Sequence, residues 1–174
     1  SPRNQQQPKL HEHDYLKPGD RIAHPRPVLF DVTERKCIEI DDQLFETPWN
    51  LNHMGWTADA SEFRFLYNQR GHQVLRYVGI HRDGQARAII DERSSTFIDY
   101  SNKTYLHGLT DDQLIWMSER SGWNHLYRIE ARTGEARPIT SGEWLVRSVE
   151  RIDQKKQQVY FRAMGVYPNQ DPYH

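Results

Sequence analysis

From Val28 onward the chain is a succession of short apolar runs, each closed by a polar or glycine-containing turn. Val28-Leu-Phe-Asp-Val32 and Cys37-Ile-Glu-Ile40 flank the polar Thr33-Glu-Arg-Lys36, and the alternation on both sides predicts a half-buried hairpin. Phe63-Arg-Phe-Leu-Tyr67 precedes Gln69-Arg-Gly71, Val74 to Val78 with Ile80 precedes Arg82-Asp-Gly84, and Ala86-Arg-Ala-Ile-Ile90 follows. Leu114-Ile-Trp-Met117 precedes Arg120-Ser-Gly122, His125-Leu-Tyr-Arg-Ile129 precedes Arg132-Thr-Gly134, and Ala136-Arg-Pro-Ile139 comes next. Leu145 to Val149 and Val159 to Arg162 are separated by Asp153-Gln-Lys-Lys156. No window of helical length carries an i, i+3, i+4 apolar stripe, so the pattern predicts an all-β chain. Ser1 to Pro27 differs: five prolines and Gln5-Gln-Gln7 predict an extended, proline-rich lead-in over 1–27.

The turns recur in register. Gln69-Arg-Gly71 aligns with Arg120-Ser-Gly122, Asp83-Gly84 with Thr133-Gly134, and Ala86-Arg-Ala-Ile89 with Ala136-Arg-Pro-Ile139. Gly71 and Gly122 are 51 positions apart, and Gly84 and Gly134 are 50. A period of roughly 40–50 residues with four short strands per unit is the signature of β-propeller blades. One blade cannot bury both of its faces, so neighbours must stack on it. The pattern predicts a partial propeller over 28–174, with a half blade at 28–47, blades at 48–92 and 93–141, and a half blade at 142–174. A two-sheet sandwich also contains many short strands, but does not call for glycine turns that recur in register. Closed propellers have about 4–8 blades, so this count predicts a chain that does not close a ring alone. A start at Ser1 without Met and an end at Asp171-Pro-Tyr-His174 agree with a slice of something longer.

Composition narrows the function classes. Lys and Arg number 23 against 24 Asp and Glu, a net charge of −1, which gives no support for nucleic-acid binding. Hydrophobic residues make up only 36%, but aromatics reach 11%, which argues for a folded chain with a ring-rich core rather than a disordered one. No apolar run approaches the ~18 residues of a membrane span, and no basic-apolar leader is visible. Cys37 is the only cysteine, which rules out an intrachain disulfide and a multi-cysteine metal site and leaves the compartment open.

Candidate chemistry is sparse. No serine has the Gly-x-Ser-x-Gly context of a nucleophile elbow, and Ser121-Gly122 falls in a strand-to-strand turn. A glycine-rich phosphate loop is also missing. His11-Glu-His13-Asp14 has metal-ligand residue types, but its proline-flanked extended setting does not fix a ligand geometry, so no metal or cofactor is expected. Asp41-Asp42 and Asp111-Asp112 are adjacent acids whose side chains point apart on extended chain, which predicts solvated turns. Trp49, Trp56, Trp123 and Trp144 could stack on sugars, but packing between blades is the commoner fate of such rings.

Trp116-Met-Ser-Glu-Arg-Ser-Gly-Trp-Asn-His-Leu-Tyr127, with Thr133-Gly134, Ile139-Thr-Ser-Gly-Glu-Trp144 and Val146, resembles a stretch of the N-terminal propeller of dipeptidyl peptidase IV-like serine peptidases, of the prolyl oligopeptidase class. Val159-Tyr-Phe-Arg-Ala-Met-Gly165 through Asp171-Pro-Tyr173 is similar to that family's next hairpin. Upstream, Tyr15-Leu-Lys-Pro-Gly-Asp20 and Pro25-Arg-Pro-Val-Leu-Phe-Asp31 resemble its entry into a blade.

The resemblance implies an eight-bladed propeller capping an α/β-hydrolase domain of the same chain, with peptide substrate held between them. It implies removal of N-terminal dipeptides with Pro or Ala second, and a Ser-Asp-His triad outside this stretch. The family's paired glutamates, which hold the substrate amino terminus, have no counterpart here, because the sequence has no Glu-Glu pair. The resemblance places one site element within the chain: Thr96-Phe-Ile-Asp-Tyr100 corresponds to a loop that supplies an aromatic wall to the substrate cavity. Tyr100 is then the candidate substrate-binding residue, and Phe97 is expected to pack within the blade. The implied partners are the peptide and the hydrolase domain. Unpaired strand edges also raise the prospect of a homo-oligomer. The repeat alone equally suits a non-enzymatic protein-interaction propeller, and the tryptophans alone a carbohydrate-binding β domain.

Overall fold

The computed structural model describes residues 12–15, 17 and 19–170. His11, Leu16, Pro18 and Asp171–Tyr173, used in the sequence reading, lie outside them. The described residues form twelve strands and no helix. β1 (Leu29–Asp31) and β2 (Lys36–Ile38) make a hairpin. β3 (Pro48–Trp56), β4 (Glu62–Gln69), β5 (Val74–His81) and β6 (Ala86–Arg93) make a four-stranded antiparallel meander in chain order. β7 (Leu106–Thr110), β8 (Gln113–Ser118), β9 (His125–Glu130) and β10 (Ala136–Pro138) repeat it. β11 (Leu145–Asp153) and β12 (Gln158–Met164) form the last hairpin. These are successive blades of a partial propeller.

Two strands escape the apolar pattern. β3 begins at Pro48, contains Gly55, holds His53 at φ 50° and slips register twice against β4. β7 is short and interrupted by Gly108. Each is the first strand of its sheet, and neither carries the alternation that predicted the other three.

The core explains why the middle strands are almost continuously apolar. Phe65 and Tyr67 of β4, with Val78 and Ile80 of β5, face the first hairpin and meet Phe45, Leu29 and Ile40. Leu66, Leu75 and Ile90 face the other way and meet Leu114, Trp116, Tyr127 and Ile129 of the next sheet. In that sheet Ile115, Met117 and Leu126 turn outward to Val146, Val149 and Phe161. Successive side chains of a strand point to opposite faces, and here both faces are covered. Each fully buried Leu, Ile or Phe contributes roughly 1.5–3 kcal/mol.

The paired glycines close the stack. Gly71 and Gly122 hold φ 97° and 90° in the turns between the second and third strands of the two sheets. Gly84 and Gly134, between the third and fourth strands, hold φ 90° and 74°. A Cβ on Gly84 would lie 1.9 Å from the carbonyl oxygen of Glu39, and one on Gly134 would lie 3.1 Å from that of Ile89. The two pairs recur at nearly the same spacing along the chain, so the repeat extends to how each turn touches the preceding blade.

A charged cluster also joins the sheets. Glu62 is only 7% exposed. It accepts from Arg64 Nε at 2.6 Å and from Arg87 Nε and Nη2 at 2.6 and 3.0 Å. Gly79 pairs with Arg64 on one side and Arg87 on the other, and any Cβ there would lie 2.3 Å from Glu62 Oε1. The missing side chain is what admits the carboxylate. Arg64 donates onward to the Asp111 carbonyl and Arg87 to that of Ala131, both in the next sheet. Burial opposes the Glu62 charge, but Arg87 and Arg64 outweigh it and hold its carboxyl below the ordinary value.

Two outcomes follow from these contacts. Gly84→Ala is expected to cost more stability in urea unfolding than Gly122→Ala. Both glycines have positive φ, worth about 1 kcal/mol, but only Gly84 lacks room for a methyl group; equal losses would refute the role of the Glu39 contact. Glu62→Gln should destabilise by about 3 kcal/mol, because two arginines lose their counter-charge. The Glu62 contribution is complete above the ordinary glutamate range and is lost as pH falls through that range toward the depressed folded value. The difference between wild type and Glu62→Gln should therefore shrink on acidification, as read by chemical unfolding at successive pH values.

Candidate functional site

The antiparallel meander places three connections of the second sheet at one rim: the entry to β3, the β4–β5 turn and the β6–β7 connection. Four rings gather there. His72 is the hub, stacked on Tyr100 with centroids 4.3 Å apart and an interplanar angle of 28°. Trp49 and Phe97 meet the same imidazole edge-on at 5.4 and 5.6 Å. Phe97 is 52% exposed and Trp49 43%, so neither is absorbed into a core. This corrects the expectation for Phe97. Residues Thr96–Tyr100 have left the blade and lie across the rim, where the interior offers the ring no place.

The β6–β7 connection is pinned rather than loose. Ser94 N–H donates to the Gln73 carbonyl at 2.9 Å and Ile98 N–H to the His72 carbonyl at 2.8 Å. The Thr104 hydroxyl donates to the Tyr100 carbonyl at 2.7 Å, and Lys103 pairs with Glu119 at 2.7 Å. Beside it lies a cleft of about 110 Å³ lined by Glu92, Phe97, Ile98, Lys103 and Ser118 among others. Burial pushes the His72 imidazole below its ordinary pKa. Its Nδ1–H donates to Asn68 Oδ1 at 3.0 Å, a tautomer assigned from that partner.

Glu92 organises the neighbouring part of the rim. It accepts from Trp116 Nε1 at 3.1 Å, from the Ser118 hydroxyl at 2.7 Å and from Arg120 Nη2 at 2.7 Å. Arg120 in turn lies over the Tyr127 ring at 4.9 Å. The distinctive Trp116–Trp144 stretch is thus structural almost residue by residue. The His125 ring donates from Nε2 to the Gly142 carbonyl and accepts at Nδ1 from the Thr140 hydroxyl, both at 3.0 Å. Thr140 Oγ1 also accepts from Leu126 N–H. Trp144 packs edge-on against His125 and stacks on Phe161, and its indole covers Gly142, where no side chain fits.

Other sequence candidates do not converge. The Ser121 hydroxyl donates to the Trp123 carbonyl. Asp111 is more than a solvated turn acid: its Oδ2 accepts from Ala58 N–H at 2.7 Å and bridges the sheets. Among tryptophans, Trp116 and Trp144 pack between sheets, whereas Trp49 and Trp56 are half exposed. Among the described residues no three His, Cys, Asp or Glu side chains are grouped to hold a metal ion, and no helix is long and apolar enough to cross a membrane. Sequence reasoning missed the Glu62 and Glu92 clusters and His72. The lone glycine inside apolar Val74–His81 was a signal of close approach at Gly79; nothing local marked Glu92 or His72.

Residues 1–173 match the family described as the dipeptidyl peptidase IV (DPP IV) N-terminal region. The chain belongs to that family. Similar curated proteins of the DPP IV type include the "Probable dipeptidyl peptidase 4" of Aspergillus flavus, 45% identical over 51 residues, which are 29% of this chain and 7% of that protein. Another is the dipeptidyl peptidase 4 of Trichophyton equinum, 29% identical over 92 residues, 51% of this chain and 12% of that protein. The chain therefore spans only a small part of the length of these DPP IV relatives. The crystal structure of Porphyromonas gingivalis dipeptidyl peptidase 4 superposes with a TM-score of 0.57 at 18% identity, covering 79% of this chain and 20% of that one. That likeness bears on the fold and agrees with a partial DPP IV-type propeller.

Glu92→Ala is expected to strip three donors of their acceptor and to cost about 2–4 kcal/mol in unfolding experiments. The Trp116 indole N–H, buried at 0% exposure, should then shift in proton NMR; an unmoved resonance would contradict its bond to Glu92.

Proposed function

We propose that this chain acts within the N-terminal propeller of a DPP IV-like serine exopeptidase that removes Xaa-Pro or Xaa-Ala dipeptides from peptide N-termini. In this reading the propeller limits access by size and contacts the peptide. An α/β-hydrolase domain of the same polypeptide supplies the nucleophile and its base. The family match across residues 1–173 is the observation that supports it. The local chemistry is compatible: the buried carboxylates are engaged by arginines, the His125 ring has both nitrogens occupied, and Ser121 lies in a turn.

Tyr100 is the residue we place against substrate. Its ring sits at the rim on His72, beside exposed Phe97 and Trp49, where an apolar part of a peptide could be covered without any bond chemistry. A propeller that only recruits protein partners would account for the repeat, but no contact described above favours it.

The test is hydrolysis of a chromogenic Ala-Pro substrate by the polypeptide translated from the reading frame that contains this chain. Turnover is expected there, and none from the 174 residues alone. Tyr100→Ala in that polypeptide should raise KM several-fold with a smaller change in kcat, the signature of lost binding rather than lost chemistry. Absence of turnover by the translated polypeptide would sink the proposal.

A further inference from the structure

His72 has a backbone that its blade does not require. The two sheets carry equivalent turns, Gly71-His72 and Gly122-Trp123. Both glycines have positive φ, but only the β4–β5 turn continues left-handed, with His72 at φ 57°, whereas Trp123 in the β8–β9 turn does not have positive φ. A left-handed non-glycine residue is disfavoured and persists where its surroundings hold it. What holds His72 is the connection across the rim. Its carbonyl accepts from Ile98 N–H at 2.8 Å, its ring stacks under Tyr100, and its Nδ1–H donates to Asn68. Asn68 is 3% exposed, and among the described residues neither its Nδ2 nor Oδ1 of Asn50, the residue paired with it across β3 and β4, has a hydrogen-bond partner. An unpaired buried amide is costly. The side chain is kept here with one end committed to the imidazole.

The same imidazole meets Trp49 and Phe97 edge-on at 78° and 81°. One residue therefore sets the position of three rings drawn from two separate segments, two of them half exposed to solvent. Packing alone would hide these rings. Instead the rim presents these rings as one partly exposed apolar face.

Resting on the peptidase reading, we propose that His72 is a positioning residue. It fixes Tyr100, Phe97 and Trp49 as one recognition face for an uncharged ring-bearing side chain of a peptide, proline or phenylalanine. No bond is made or broken there. The specificity is for shape and apolar surface, and aromatic contacts of this kind are worth a factor of about 2 to 10 in affinity.

The probe is the tripeptide Ala-Pro-Phe, titrated into the full 174-residue chain and followed by NMR shifts of the Trp49 indole and Tyr100 ring protons. Saturable shifts at these rings are expected, with Ala-Ala-Ala giving none. His72→Asn keeps a residue that tolerates left-handed backbone but removes the ring, and should weaken binding by about 2- to 10-fold and move the Tyr100 ring resonances in the free protein. His72→Phe restores a flat ring and should recover most of the affinity. A role limited to stability would lower the unfolding midpoint of His72→Asn and leave the affinity unchanged; that result overturns the proposal. No binding of Ala-Pro-Phe by the wild-type chain also overturns it, whereas the peptidase reading stands or falls separately on turnover by the longer polypeptide.

Discussion

A sheet that is apolar on both faces cannot exist alone in water, and everything else in this chain follows from that. Leu66 and Phe65 are neighbours on one strand and lie in different cores. So do Trp116 and Ile115. Each four-stranded sheet is therefore the filling between two others, and its stability belongs as much to its neighbours as to itself. The hydrophobic fraction of the chain is low because this stacking draws mainly on the middle strands. The turns are largely polar and account for much of the rest.

The polar contacts between sheets are of a different kind. They sit at the two ends of the apolar layer. The Glu62 cluster reaches the Asp111 and Ala131 carbonyls at one end, and the Glu92 cluster reaches Trp116, Ser118 and Arg120 at the other. Apolar packing is indifferent to a small slide of one sheet on the next. A carboxylate held between two arginines, or under an indole N–H, is not. The two clusters fix the register that the hydrophobic layer leaves soft, and they leave the rim residues in one arrangement.

Much of this was legible in the sequence. The glycine turns, spaced alike in the two units, gave the blade repeat because positive φ is a local demand that a sequence must meet with particular residues. The apolar runs gave three strands of every four. The first strands, β3 and β7, were illegible because the edge of a sheet does not impose strict alternation, and proline, glycine and register slips are tolerated there. The candidate site was partly readable. Tyr100 came from a resemblance over Thr96–Tyr100, but its relation to His72 and Trp49 joins positions far apart in the chain. Only the meander brings them to one rim. The Glu92 cluster was hidden for the same reason, since its donors lie on the following sheet.

The glycine turns have a geometric consequence. Gly84 and Gly134 bring one blade's turn onto the backbone of the blade before it, with no side chain between them. Main-chain atoms leave no slack, so at that end a turn approaches the blade before it only where its residue is glycine. The Glu62 cluster stands at the same end, with Arg64 and Arg87 reaching the Asp111 and Ala131 carbonyls. Substitution there is constrained twice over, by the space a methyl group would need and by a charge that must stay paired. The opposite end meets the next sheet through Glu92 and its side-chain donors, which can adjust.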